Sequence, residues 1–344
     1  MSIQQALKTI ATIETLQPVY CIQGSESYLQ QKVKEAFLQR MAITENDLNF
    51  TQIDLELLTV DQLIDEAETV PFFGDQRLLF AMNPYFLTSE KKTNGSDHNL
   101  DRLIEYLNSP LQTTVLVFFA PYDKFDERKK ITKRLKKQAV LIDTKPLAEN
   151  EVKRMVHEKL KQANVDIEPQ ALEQFLRSTE MDLSKAMHEL EKLILFASAT
   201  GRITGKAVEQ LIPKTLENNV FELTEMILKG KADGALEGYR ELLLQGEETI
   251  KINAILIGQI RLYLQVAILM EQGMQQGAIA DQVKAHPYRV KLAMQQSRKY
   301  SRSELEGLFD QLVENDYKMK TGQMTKEYLF ELFILQTANR LVGR

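Results

Sequence analysis

A chain of 344 residues with 44% hydrophobic and 26% charged residues has the composition of a globular protein with more than one domain, which excludes a disordered chain. Its net charge of −5 excludes a molecule that attracts nucleic acid through its overall charge, so any DNA contact has to come from local patches. The single cysteine, Cys21, excludes a disulfide framework within the chain, and the N-terminus carries no signal-peptide pattern, so we expect a cytoplasmic protein.

Apolar runs of strand length alternate with helical patterns over the first 145 residues. The apolar runs lie at 19–24, 49–55, 76–83, 113–120 and 139–143. The helical patterns lie at 27–41, 60–70, 100–108 and 126–137. Because most of the apolar runs are continuous and helices separate them, they predict a parallel sheet that is covered on both faces.

From about residue 146 the strands stop and only helical patterns follow. We expect a small helical domain over 146–214, a linker at 214–219 and an all-helical domain over 215–344. The most apolar stretch, 253–270, is interrupted by two glutamines and an arginine, which favours a buried helix over a membrane span. The sequence therefore predicts no membrane partner.

The first predicted strand ends in Gly24 and runs into a helix, which is where a nucleotide-binding domain has its phosphate loop. That loop needs the pattern Gly-x4-Gly-Lys-Ser/Thr, because backbone N–H groups cradle the phosphates, the lysine reaches the terminal phosphate and the hydroxyl binds Mg²⁺. This sequence has Leu29, Gln30 and Gln31 at the last three positions. Glu26 in the first helical turn places a carboxylate where phosphate would bind, and it would repel phosphate.

Other catalytic patterns fail as well. The third predicted strand ends in Met82-Asn83-Pro84, where an acidic pair would hold magnesium. His157 and Glu158 begin like the zinc motif H-E-x-x-H, but the fifth position is a lysine. We therefore expect no catalytic residues, no cofactor and no metal site, and a protein that is not an enzyme by itself.

Four segments match a known family in their order and spacing. They are YCIQGSESYL at 20–29, VPFFGDQRLLF at 70–80, FFAPYDKFDERKKITKRLKK at 118–137 and HPYRVKLAMQQSRKYSRSEL at 286–305. The chain resembles clamp-loader subunits, and among them the delta subunits of bacterial DNA polymerase III. The resemblance implies a RecA-like, AAA+-like α/β domain over 1–145, a small helical lid domain over 146–214 and an all-α collar domain over 215–344. It also accounts for the missing phosphate loop, because delta subunits do not hydrolyse ATP.

The resemblance implies a role in DNA replication. A delta subunit binds the ring-shaped sliding clamp (beta) and opens it for loading onto primed DNA. It is a non-catalytic subunit of the DNA polymerase III holoenzyme, which as a complex is a DNA-directed DNA polymerase, and its other partners are the gamma/tau and delta prime subunits. Two alternatives stay open: a degenerate AAA+ ATPase, which nucleotide binding would favour, and a helical scaffold protein without a role in replication.

The clamp contact of this family is a hydrophobic wedge between a helix and the next strand, which here is Val70-Pro71-Phe72-Phe73. Two adjacent large apolar residues beside proline and glycine cannot both continue a regular buried element, so at least one should project. The resemblance assigns clamp binding to Val70, Phe72 and Phe73, although leucine is common in relatives where this chain has Phe72. The alternative is that both phenylalanines fill the core of their own domain.

A candidate DNA contact lies in the predicted collar domain, at Tyr317, Lys318 and Lys320. An aromatic ring beside cations can stack on an exposed base. The resemblance adds that the inner collar region can contact the primer–template. The alternative is a tyrosine that is buried in the helical core.

Overall fold

The computed structural model describes residues 1, 3–72, 74–89 and 98–342, so Phe73, one of the three predicted clamp-binding residues, lies outside the described residues. The chain forms two compact units. One consists of Met1–Glu158 with Asp182–Glu191, and the other of Lys159–Met181 with Lys192–Arg344. The three domain boundaries expected from the sequence stay a prediction.

A five-stranded parallel sheet is the centre of the first unit, with the strand order β2-β3-β4-β1-β5. Its strands are β1 (Val19–Gln23), β2 (Phe50–Asp54), β3 (Arg77–Met82), β4 (Thr114–Ala120) and β5 (Val140–Asp143). All seven residues of β4 are buried, as expected for a strand that is covered on both faces. The predicted parallel sheet is therefore confirmed.

Helices precede, connect and follow these strands along the chain. They are α1 (Ile3–Thr12), α2 (Ser27–Met41), α3 (Val60–Ala67), α4 (Leu100–Asn108), α5 (Lys130–Gln138) and α6 (Glu149–Gln162). Helix α1 was not predicted from the sequence, and it buries Ile3, Ala6 and Ile10 along one face. Helix α3 ends at Ala67, before the predicted end at residue 70, and residues 68–72 are in neither a helix nor a strand.

The second unit is almost entirely helical. Its helices are α7 (Pro169–Ser178), the last residues of α8 (Leu183–Phe196), α9 (Gly205–Leu211), α10 (Leu216–Leu228), α11 (Ala232–Leu244), α12 (Thr249–Glu271), α13 (Gln276–Val283), α14 (Pro287–Ser297), α15 (Arg302–Lys320) and α16 (Lys326–Val342). The first residues of α8 belong to the first unit.

Two expectations for this part of the chain are wrong. Strands do not stop at residue 146, because β6 (Asp166–Ile167) and β7 (Arg202–Ile203) form a short parallel pair. Most of the predicted linker at 214–219 is helix, since α10 begins at Leu216. The hydroxyl of Thr215 accepts a hydrogen bond from the backbone N–H of Asn218 at 3.2 Å, and this cap starts the helix.

Helix α12 is the central helix of the second unit. By length and composition it is apolar enough to cross a membrane, and half of its most apolar 18-residue stretch is buried within the protein. It packs against α10, α14, α15 and α16. Ile252, Leu256, Ile260 and Tyr263 recur at helical spacing and are buried in the apolar core. One face of the helix is therefore buried in the core of the second unit, in agreement with the expectation of a core helix.

Candidate functional site

Residues 70–72, which we call the tip, form an exposed apolar segment between α3 and β3. Val70 is 71% exposed and Phe72 is 61% exposed. Because Pro71 has no backbone N–H to donate, the tip is poorly suited to continue the sheet. Phe72 thus lies outside the core, as the expectation of a projecting residue required, and the core-filling alternative is wrong for this residue.

Buried polar side chains hold the backbone on both sides of the tip. Arg77 is 2% exposed, and its Nη1 donates to the carbonyl oxygen of Thr69, just before the tip, at 3.5 Å, while its Nη2 donates to Oε2 of Glu66 at 2.8 Å. Asn49, which is also buried, accepts a hydrogen bond from the backbone N–H of Phe72 at 2.8 Å through Oδ1. Hydrogen bonds to a charged group are among the stronger ones in proteins. The tip is therefore exposed on an anchored backbone.

The loop after β1 and the first turn of α2 lie where a phosphate loop would lie, and backbone N–H groups of both already have acceptors within the protein. Ser25 N donates to Oδ1 of Asp123 at 2.9 Å, Glu26 N to the carbonyl oxygen of Thr144 at 2.9 Å, and Tyr28 N to Oγ of Ser184 at 2.9 Å. Phosphate binding at a helix N-terminus depends on free N–H groups that point at the ligand. Here these donors point at other parts of the chain.

The space beside this loop is filled as well. Gly24 has φ +136°, and a Cβ added to it would lie 2.2 Å from the backbone nitrogen of Lys145, so only glycine allows this close approach. Leu29, at the position of the second glycine of a phosphate loop, is completely buried. Backbone and core side chains thus occupy the surroundings of the loop.

Glu26 is a buried carboxylate at the N-terminus of α2. Burial raises the pKa of its carboxyl above the usual range, the hydrogen bond from the hydroxyl of Ser184 opposes this shift, and the charge of Asp182 adds to it. The Ser184 hydroxyl donates to Oε1 of Glu26. The position that the sequence analysis read as repelling phosphate therefore holds a carboxylate with its own hydrogen-bond donor.

The residue at the position where an acidic side chain would hold magnesium also forms a hydrogen bond within the protein. Asn83 follows β3, and its Nδ2 donates to Oδ1 of Asp54 at 3.1 Å. Within the part of the chain that the structure describes, no group of three or more His, Cys, Asp or Glu residues could hold a metal ion.

The predicted DNA contact lies at the C-terminal end of α15, which brings its three residues onto one turn. Tyr317 is 63% exposed, so the alternative of a buried tyrosine is wrong. Nζ of Lys318 lies 2.7 Å from Oε1 of Glu314, and Nζ of Lys320 lies 2.7 Å from Oδ2 of Asp316. An acidic neighbour thus accompanies each lysine, and a DNA contact stays a prediction.

Three residues that support the tip and the loop after β1 were not predicted from the sequence. Asn49 and Arg77 are polar residues at the start of strands, and a charged residue that opens the apolar run 77–82 was the available signal for Arg77. Ser184 gave no signal, because its contact with Glu26 joins positions 158 residues apart.

A parallel sheet with strand order β2-β3-β4-β1-β5, a helix after its first strand and a helical C-terminal region place the chain in an AAA+-like class of protein. A family model described as DNA polymerase III, delta subunit, matches residues 20–145. A model of the delta subunit's C-terminal domain matches residues 217–337, and a model described as a middle domain matches residues 148–210.

Individual relatives agree with this class. The DNA polymerase III subunit delta of Bacillus subtilis (strain 168) is 42% identical over 324 residues, which cover 94% of this chain and 93% of that protein. A probable DNA polymerase III subunit delta of Aquifex aeolicus (strain VF5) is 24% identical over 257 residues, covering 74% of this chain and 72% of that protein. The solved structure of a Bacillus subtilis DNA clamp loader delta protein matches with a TM-score of 0.76 and 40% identity, covering 98% of this chain and 99% of that one.

The chain belongs to the DNA polymerase III delta subunit family, whose members are clamp-loader subunits in DNA replication. The resemblance inferred from the four sequence segments is therefore confirmed, and so is the predicted fold class. Membership implies a complex with other clamp-loader components.

Proposed function

We propose that this chain binds the sliding clamp through Val70, Phe72 and Phe73 and opens one interface of the ring. The observation that carries the proposal is the exposed ring of Phe72 on a backbone that Asn49 holds in place. Burial of such a side chain in a pocket of the clamp would contribute about 1.5–3 kcal/mol. Because the backbone is already ordered, little of this free energy is lost in ordering the tip on binding.

Opening the clamp requires no covalent chemistry in this chain. A tip that binds an open clamp interface more tightly than a closed one shifts the population of rings toward the open state. In the loader, ATP binding by the gamma/tau subunits frees the tip, while residues 215–344 pack in the collar beside gamma/tau and delta prime. The opened clamp is then placed on primed DNA. Because the subunit carries out this function on DNA, it lies in the cytoplasm.

A double variant, Phe72→Ala with Phe73→Ala, tests the clamp contact. Clamp affinity should fall at least about thirtyfold, or about 2 kcal/mol, as for a buried hot spot. The melting temperature should not fall, because the substitution at Phe72 removes an exposed side chain. Leu57→Ala is the matched control, since Leu57 is a 76% exposed apolar residue outside the tip.

Three results would contradict the clamp contact. Normal melting with normal clamp binding would place the contact elsewhere on the chain. A large drop in melting temperature would identify Phe73 as a core residue and remove it from the contact. Equal losses of affinity in the double variant and in Leu57→Ala would show a nonspecific effect of removing surface apolar groups.

The subunit acts without binding or hydrolysing ATP. Support comes from the internal acceptors of the loop after β1 and from buried Leu29 at the position of a loop glycine. Equilibrium binding with a labelled nucleotide tests this, with an ATP-binding subunit of the same loader as the positive control. Saturable binding below about 100 μM, or about 5.5 kcal/mol, would overturn it and favour the degenerate ATPase.

Primed DNA within the complex contacts Tyr317, with Lys318 and Lys320 beside it. Exposure of the ring supports this contact, because stacking of a base on an aromatic ring contributes about 1–3 kcal/mol. In the assembled loader, Tyr317→Ala should weaken binding of primed DNA more than Tyr328→Ala, which removes another exposed tyrosine. Equal affinities of the two variants would remove Tyr317 from the DNA contact.

A further inference from the structure

We propose that Leu48 is a second apolar anchor of the clamp-binding surface, beside the tip. The proposal rests on the proposed binding of the clamp by the tip. Leu48 is 63% exposed and lies two residues before β2, in a part of the sequence that carries none of the family's recognisable segments. An exposed leucine alone is ordinary, and Leu48 is distinguished by the loop that carries it and by its place beside the tip.

The loop that carries Leu48 is fixed by hydrogen bonds on both sides of it. Oδ1 of Asp47 accepts from the backbone N–H of Asn49 at 2.8 Å, and the carbonyl oxygen of Asp47 accepts from Phe50 N at 3.0 Å. This is the local turn that an aspartate side chain makes with the backbone two residues on. The carbonyl oxygen of Asn49 also accepts from Leu78 N of β3 at 2.8 Å. Leu48 is thus presented by a constrained backbone.

The same loop is joined directly to the tip. Asn49, the residue after Leu48, accepts the backbone N–H of Phe72. Phe50 pairs with Leu78 in the sheet, and neighbouring strands lie about 4.8 Å apart, so the starts of β2 and β3 are side by side. The residues that precede these two strands, Leu48 and the tip, therefore lie at the same edge of the sheet.

The occupant of this surface is the sliding clamp, because the hydrogen bond from Phe72 N to Oδ1 of Asn49 joins the loop of Leu48 to the tip. Val70 and Phe72 alone offer one short segment, about which a bound partner could pivot. A second anchor on the neighbouring strand fixes the orientation of the clamp as well as its affinity. Binding energy at protein interfaces is concentrated in a few well-packed residues, so one further packed side chain can have a measurable effect.

The affinity of the full-length chain for the clamp is the first test. Leu48→Ala should weaken clamp binding about tenfold with an unchanged melting temperature, as expected for the loss of one buried apolar side chain. Leu57→Ala should stay within about twofold of the wild type, since a single exposed substitution costs little. Wild-type affinity of Leu48→Ala in a preparation where Phe72→Ala binds weakly would overturn the inference and leave the proposed function standing. Wild-type affinity of Phe72→Ala would instead overturn the proposed function.

A second readout reports contact and does not depend on affinity. Cys21 is buried, so in a Leu48→Cys variant the new thiol is the accessible one to alkylate. Saturating clamp should slow alkylation of Leu48→Cys at least about tenfold and leave the rate of Leu57→Cys unchanged, because only a thiol within the interface is covered. Equal rates with and without clamp in Leu48→Cys would show that the clamp does not cover this position.

Discussion

The loop after β1 and the tip lie at opposite ends of one parallel sheet, and they treat their exposed groups in opposite ways. The loop follows a strand and turns its backbone donors toward Asp123, Thr144 and Ser184. The tip precedes a strand and leaves Val70 and Phe72 exposed. Groups that are satisfied internally contribute to the stability of the fold, whereas apolar groups left in water are available to a partner.

Leu29→Ala should produce the largest difference between the two regions. Leu29 is completely buried, so truncation leaves a cavity and should cost about 2–5 kcal/mol of unfolding free energy. Phe72→Ala removes an exposed side chain and should cost less than about 0.5 kcal/mol. Urea unfolding of both variants measures the two losses of unfolding free energy. Equal losses would show that the loop after β1 and the tip do not differ in this way.

Ser184→Ala should have an intermediate effect. It removes the donor to Glu26 and the acceptor of Tyr28 N, so a buried carboxylate and a backbone N–H each lose a partner. We expect a loss of about 1–3 kcal/mol in unfolding free energy. Ser25→Ala is the control, because its side chain is exposed while its backbone N–H keeps Asp123. Similar losses in both variants would show that the hydroxyl of Ser184 does not stabilise the loop after β1.

Glu26→Gln should have the smallest effect and the opposite sign. Because burial raises the pKa of the Glu26 carboxyl, the folded chain binds this proton more tightly than the unfolded chain does. The wild type therefore loses stability as the pH rises from the unfolded pKa, about 4.3, through the raised folded pKa. Glutamine is neutral throughout and still accepts from Ser184, so the variant should be the more stable above this window.

Melting temperatures of the wild type and Glu26→Gln between pH 4 and 8 check the sign. Their difference should grow in favour of the variant as the pH rises and then level off. A variant that is less stable than the wild type at neutral pH would show that the charge of Glu26, at the N-terminus of α2, stabilises the loop after β1.

Much of the fold was predictable because its information is local. Continuous apolar runs separated by helical patterns predicted the parallel sheet, and interrupting polar residues predicted a buried α12. Errors occurred where local signals were weak or misread. The cap at Thr215 was available in the sequence, yet the polar residues around it were read as a linker. The two-residue strands β6 and β7 are too short for any periodic pattern.

The sequence by itself determined that the chain lacks a phosphate-loop motif after β1, since Leu29, Gln30 and Gln31 cannot supply the groups of such a loop. It did not determine what replaces them or which apolar residues stay in water. Leu29 and Phe72 are both apolar, and one is buried while the other is exposed. That choice depends on contacts between distant parts of the chain, such as Ser184 with Glu26 and Asn49 with Phe72. Only the packed tertiary structure brings such partners together, because burial and hydrogen bonding there offset the entropy lost in ordering the chain.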